Sequence, residues 1–244
     1  MDPAKLFKQE CDDRVRGYAT NGPLLEAASD FMKASTKARY SYNFSWLGRP
    51  IIQYPQDILA MQEIIWRVQP DLIIETGIAH GGSLVFYASM LALLGSKAEV
   101  VGVDVDIRAH NRRAIESHPL SNRIRLLQGS SIDPQVIERI RDLAKAHHTV
   151  LVVLDSNHTY EHVAAELRLY APLVSIGSYC VVFDTIIETV PSDTYPDRPW
   201  GVGNNPMTAV KEFLEANTNF AADTEIDRKL LISVAPSGYL QRVR

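Results

Sequence analysis

Apolar residues recur at helical spacing from Gln56 onward: Ile58, Met61, Ile65 and Val68 fall on one face. The period then changes. Asp71-Leu-Ile-Ile-Glu75 reads as a short apolar strand, followed by a glycine-bearing turn. An apolar helix runs from Leu84 to Leu94 and is closed by Gly95. The alternation continues through four more strands: Val100 to Asp104, Ile124 to Leu127, Val150 to Leu154 and Tyr179 to Phe183. Helices separate them at 108–118, from Asp133-Pro134, over about 160–170, and from Asn205-Pro206 to about Ala216. Asp133 and Asn205 suit N-caps with proline at the first helical position. Leu230 to Ser233 and Tyr239 to Arg242 read as two final strands around Pro236-Ser237-Gly238. That connection is too short for a crossover, so the pair is expected antiparallel.

Strands alternating with helices predict an α/β fold with a sheet covered on both faces. Seven strands are expected, five parallel plus a C-terminal antiparallel hairpin. Residues 1–50 are expected to form an N-terminal helical extension or cap, and 51–244 one ligand-binding domain. The extension is mixed and polar, with a helix around Leu24 to Lys33. Its aromatic patch, Tyr40, Tyr42, Phe44 and Trp46, suits either a cap on the core or a wall of a substrate pocket.

Composition narrows the partners. The formal charge of −4, from 25 basic against 29 acidic residues, provides no electrostatic footprint for nucleic acid. Two cysteines, Cys11 and Cys180, fit a reducing compartment. The first ten residues, MDPAKLFKQE, lack the apolar region of a signal peptide. No apolar run approaches the roughly 18 residues of a membrane span. The expectation is a soluble, cytoplasmic protein.

The turn Glu75-Thr-Gly77-Ile-Ala-His-Gly81-Gly82-Ser83 joins a strand to a helix. Glycines there let the backbone approach a ligand closely. A dinucleotide would call for G-x-G-x-x-G around its pyrophosphate. This turn is G-x-x-x-G-G with an acid just before it, which suits S-adenosylmethionine, a cofactor with an ammonium and no phosphate. The candidate cofactor contacts are Glu75, Thr76, Gly77, Gly81, Gly82 and Ser83. Asp104 ends the next strand, near the spacing at which an acid accepts ribose hydroxyls in nucleoside-binding folds. Asp106 is the fallback, and turn chemistry alone also favours aspartate at both positions. Ser130 and Ser131 end the third strand, where the adenine is expected.

Asp155-Ser-Asn-His158 ends the fourth strand and Asp184 the fifth. Neighbouring parallel strands bring these ends to one crevice. Asp155 and Asp184 suit a hard divalent cation such as Mg²⁺, and Asp155 also borders the cofactor. His158 suits a general base. The same Asp155 and His158 also suit a helix cap. His158-Thr-Tyr-Glu161-His162 matches H-x-x-E-H, a zinc protease pattern, but a five-residue match arises easily by chance.

Taken together, Trp46-Leu-Gly-Arg-Pro-Ile, Tyr54-Pro-Gln-Asp57, Ile74-Glu-Thr-Gly77, Gly81-Gly-Ser83, Asp155-Ser-Asn-His158, Gly177-Ser-Tyr179 and Val182-Phe-Asp184-Thr resemble the cephalosporin hydroxylase / rhamnosyl O-methyltransferase family. The likeness runs from about residue 45 to the C-terminus. It implies a class I (Rossmann-like) methyltransferase fold, S-adenosylmethionine, often Mg²⁺, a hydroxyl on a sugar or natural product as acceptor, and a homo-oligomer. It also implies a D-x-x-H pattern with the histidine as base, which Asp155 and His158 match. One position departs: metal-dependent members resemble Glu-Asp at the fifth strand end, where this chain has Phe183-Asp184. Glu188, four residues on, is the nearby acid available in place of the missing ligand. The departure also leaves room for a cofactor-binding accessory protein that transfers no methyl itself. A nucleotide-dependent oxidoreductase is disfavoured by the absent G-x-G-x-x-G.

Overall fold

The structure, a computed structural model, describes residues 2–244. Helices α1 (Pro3–Tyr18) and α2 (Gly22–Lys37) open the chain, capped by the side chains of Asp2 and Asn21 with proline in each first turn. α1 buries none of its residues and carries exposed i,i+4 pairs, Lys8–Asp12 and Glu10–Arg14. Its apolar positions Phe7, Cys11, Val15 and Tyr18 recur at helical spacing but stay at least partly exposed. α2 contains the expected helix and buries Ala28, Met32 and Ser35. A small hairpin follows, β1 (Phe44–Trp46) with β2 (Arg49–Ile51), and then α3 (Pro55–Val68).

The remaining chain is β3 (Leu72–Thr76), α4 (Gly82–Leu93), β4 (Glu99–Asp104), α5 (Ala109–Glu116), β5 (Ile124–Gln128), α6 (Pro134–Ala144), β6 (Val150–Leu154), α7 (Tyr160–Tyr170), β7 (Tyr179–Val182), α8 (Pro206–Ala216), β8 (Phe220–Ala222), α9 (Thr224–Leu230) and β9 (Tyr239–Arg242). One seven-stranded sheet has the order β5-β4-β3-β6-β7-β9-β8. Strands β3 to β7 are parallel, and β9 is antiparallel to both neighbours. The chain order reverses between β3 and β6, so the switch point lies at the carboxyl ends of those two strands.

β3 and β6 are buried at every position. Their near-continuous apolar runs are what a strand covered on both faces requires. Ile73, Leu151 and Val153 meet Met61 and Ile65 of α3 and Phe86 and Tyr87 of α4 on one face. Ile74, Val152 and Leu154 meet Ile137 and Ile140 of α6, Leu167 of α7 and Val210 of α8 on the other. Each fully buried aliphatic contributes roughly 1.5–3 kcal/mol over its exposed state. This stable frame holds the strand-end loops.

Two expectations need correction. The strand expected at Leu230 to Ser233 does not form. Leu230 ends α9, Leu231 takes a positive φ of 60°, and the buried Asp57 captures the next residues. Asp57 accepts from Ser233 Oγ at 2.6 Å, Val234 N at 3.0 Å and Tyr239 Oη at 2.6 Å. The antiparallel partner of β9 is instead β8, a three-residue edge strand too short for a period-2 signal. The aromatic patch divides. Tyr40 packs on Phe31, Phe44 and Tyr54, and Trp46 packs on Phe86 while donating to Ser89 Oγ at 2.9 Å. These three cap the core, while Tyr42 is exposed.

Candidate active site

The end of β3 is shaped by close backbone approach. Gly77 has φ +88°, and a Cβ there would lie 2.0 Å from the carbonyl oxygen of Asp155. Only glycine accepts both the left-handed backbone and that contact. A Cβ on Gly82, at the start of α4, would lie 2.1 Å from the carbonyl oxygen of Pro50. The turn is thus clasped between the β6 end and the β1–β2 hairpin. Asp104 braces it, accepting from Ile78 N at 2.8 Å and from Asp106 N at 3.0 Å. Arg49 and Asn111 add further ties, Arg49 donating to the carbonyl of His80 and Asn111 to that of Ala79.

A cleft of about 160 Å³ opens against this turn, with Ile51, Gln53, Gly77, Ser83, Asp104 and Asp155 among its walls. Glu75 lies fully buried behind it and accepts from Ser83 Oγ at 2.7 Å. Burial pushes its carboxyl up to about 8, although the Ser83 and Tyr87 hydroxyls pull the other way. No described residue makes a hydrogen bond of good geometry to its second oxygen, Oε1, although the Tyr87 hydroxyl approaches the carboxyl. A buried, unpartnered acceptor beside a glycine cradle fits a cofactor bearing a cationic group. Thr76 is buried, and its hydroxyl also lacks a partner. Asp106 is exposed and, like Ser130 and Ser131, is not part of the cleft wall.

Register brings the reactive ends together. Leu154 pairs with Thr76 on one side and Val182 on the other, so Asp155 and Asp184 emerge side by side. Asp184 has a positive φ of 57° and starts a helical turn over Thr185–Glu188. That left-handed backbone is uncommon for a residue with a Cβ. Here it accompanies a contact of 3.1 Å between Asp184 Oδ2 and His158 Nε2. Gln53 Nε2 donates to Asp155 Oδ2 at 3.3 Å. Burial raises the Asp155 carboxyl well above the usual range, and the charges of Asp184, Glu75 and Glu166 add to the rise. Asp155, His158 and Asp184 each offer one donor atom, all within 4.8 Å of one another.

Phe183 is 2% exposed and belongs to the core beneath the site. Glu188 does not join the cluster. It accepts from Gly203 N at 2.9 Å and from the Asn205 amide, and these bonds hold its carboxyl below the usual range. The H-x-x-E-H histidines also diverge. His158 turns to Asp184, whereas His162 Nε2 lies 3.0 Å from Ser131 Oγ and 3.2 Å from Ser156 Oγ. Ser156 donates in turn to the buried Glu166 at 2.8 Å. This network ties the β5 end to the β6 end, and Glu161 is exposed away from both histidines.

Gln53, Ser156 and Glu166 escape sequence reasoning as site residues. Each is ordinary in its local segment and gains its place through contacts far along the chain. Trp200 meets the His158 ring edge-to-face, with centroids 4.8 Å apart and planes at 86°.

The sequence profile of the family "Rhamnosyl O-methyltransferase/CmcI" matches residues 38–243. The chain is 33% identical over 188 residues to the rhamnosyl O-methyltransferase of Mycobacterium tuberculosis, covering 76% of this chain and 73% of that one. The rhamnosyl O-methyltransferase of Mycobacterium leprae is 27% identical over 200 residues, covering 81% and 82%. Among solved structures, CmcI in a Mg–SAM form superposes with a TM-score of 0.59 at 21% identity, covering 83% of this chain and 78% of that one.

Proposed function

Because the chain belongs to the rhamnosyl O-methyltransferase/CmcI family, a group of class I S-adenosylmethionine-dependent methyltransferases, we propose that this O-methyltransferase acts on a hydroxyl of a sugar or small natural-product acceptor. The name shared by the mycobacterial relatives favours a rhamnosyl or other deoxysugar acceptor. The observation that carries the reading is the His158–Asp184 contact, clustered with Asp155, which lines the glycine-cradled cleft.

In this reading the Glu75-to-Ser83 turn, Asp104 and Asp155 hold the cofactor. Asp106, Ser130 and Ser131 stand further out along its ribose and adenine side. S-adenosylmethionine supplies an electrophilic methyl: the S–CH₃ bond breaks as the O–CH₃ bond forms, leaving S-adenosylhomocysteine. His158 takes the proton of the acceptor hydroxyl. In the tautomer that donates from Nε2 to Asp184, the other ring nitrogen keeps its lone pair for that proton. Asp184 then stabilises the imidazolium, as the carboxylate of a catalytic triad does. Residues 1–50 serve as a cap that closes the core beside the cleft.

A divalent cation, Mg²⁺ in the family expectation, would be held by Asp155 and Asp184 with His158 adjacent. When bound it would lower the pKa of the acceptor hydroxyl. Removing His158 separates its roles: loss of a base lowers kcat alone, while loss of a ligand also lowers cation affinity.

Calorimetry with S-adenosylmethionine and S-adenosylhomocysteine tests the foundation, and absence of binding by either overturns it. An acceptor screen that follows S-adenosylhomocysteine release tests the activity. Turnover by the purified protein alone excludes a purely accessory role.

A further inference from the structure

The segment 191–205 contains no regular helix or strand, yet it is tied down around Trp200. Glu188 holds it through Gly203 N–H and the Asn205 amide. Asn205, fully buried, donates to the Gly201 carbonyl at 2.8 Å and caps α8. Asn204 Oδ1 accepts from Tyr160 N at 2.9 Å, at the start of α7, and its amide donates to the Pro199 carbonyl at 2.8 Å. The residues on both sides of Trp200 are therefore fixed, one of them to the helix that follows His158. The Arg198 guanidinium lies over the indole, 5.2 Å from its centroid.

The 3.1 Å contact with Asp184 places one nitrogen of the His158 ring but leaves the ring some freedom to turn. The edge-to-face indole blocks that rotation. Together they define both the position and the plane of the imidazole. Proton transfer is sensitive to such placement, and a shift of about 1 Å can lower a rate about 100-fold.

We propose that Trp200 is a positioning residue for His158, and that the Glu188–Asn205 clamp holds it there. The proposal rests on the reading of His158 as base. It assigns Glu188 a purpose that its place four residues after Asp184 does not suggest.

The test uses the full chain with Trp200→Ala, Trp200→Phe, Glu188→Gln and His158→Gln. The His158 ring resonance, assigned by its loss in His158→Gln, reports the indole ring current without reference to activity. In Trp200→Ala that resonance should shift and kcat should fall at least about tenfold. Acceptor KM and S-adenosylhomocysteine affinity should stay within about twofold, a change of less than 0.5 kcal/mol. Trp200→Phe, which keeps an aromatic ring, should recover most of kcat. Glu188→Gln leaves Trp200 present but weakens its anchor, so it should perturb the same resonance and lower kcat severalfold. That milder variant keeps the test available if Trp200→Ala fails to fold. An unmoved resonance in both variants overturns the proposal. So does an inactive His158→Gln protein beside a fully active Trp200→Ala protein. A fully active His158→Gln protein overturns the base assignment and the proposal with it, and is recognised as that by its own kinetics.

Discussion

At the ends of β3 and β4 the site is made of backbone, whereas at the ends of β6 and β7 it is made of side chains. Gly77 and Gly82 bring main chain against main chain, and Asp104 gives one oxygen to the amide of Ile78 in the turn and the other to that of Asp106 in its own loop. Across the crevice, His158 is placed by Asp184 and Trp200, which lie 26 and 42 residues further along. The first half tolerates no added atom. The second depends on several distant residues holding their places together. The proposed cofactor cradle therefore rests on steric necessity, and the proposed chemistry on a longer chain of contacts.

The sharpest way to separate the halves is to remove the base. His158→Ala should lower kcat by about 10²–10⁴-fold, the usual range for a general base. S-adenosylhomocysteine affinity by calorimetry should stay nearly unchanged. A comparable loss of both would mean the halves are not independent. The reciprocal change is Gly77→Ala. Left-handed strain alone costs about 1–3 kcal/mol, and the clash with Asp155 adds to it. Cofactor affinity should fall tenfold or more at about 1.4 kcal/mol per decade. Binding within twofold of the parent would show that the cradle is looser than its geometry implies.

A smaller effect comes from pH. Glu75 has a folded pKa of about 8 against an ordinary 4.5, and Asp57 about 6 against 3.8, both raised chiefly by burial. The folded state thus binds these protons more tightly than the unfolded chain. Their contribution to stability is greatest below the unfolded pKa values and is lost as pH rises through about 6 for Asp57 and about 8 for Glu75. Thermal unfolding of the ligand-free protein should show stability declining from pH 5 to pH 8. Glu75→Gln should flatten the decline above pH 6, and an unaltered slope would mean Glu75 is not the group responsible.

The β3–turn–α4 unit was legible because its signals are local. Apolar runs mark the strand, and glycines mark where the backbone must bend or approach. The juxtaposition of Asp155 and Asp184 was legible too, since neighbouring parallel strand ends must lie side by side. The H-x-x-E-H pattern misled for the complementary reason: spacing along a helix does not say which residue fills the space opposite. Folding placed Asp184 before one histidine, and Ser131, Ser156 and Glu166 before the other. Likewise, Leu230 to Ser233 looked like a strand until Asp57 claimed its end.

Hydrophobic periodicity and glycine placement are sufficient for the five parallel strands, for β9 and for the turn at the switch point. They act over a few residues, and the backbone has few ways to satisfy them. The partner of each polar side chain is another matter. Glu188 took the loop amides rather than the acidic cluster, and Trp200 came against His158, because those groups meet only after the sheet has assembled. Long-range packing selects among hydrogen bonds that are chemically equivalent in the unfolded chain, and the spacing of residues carries no record of that choice.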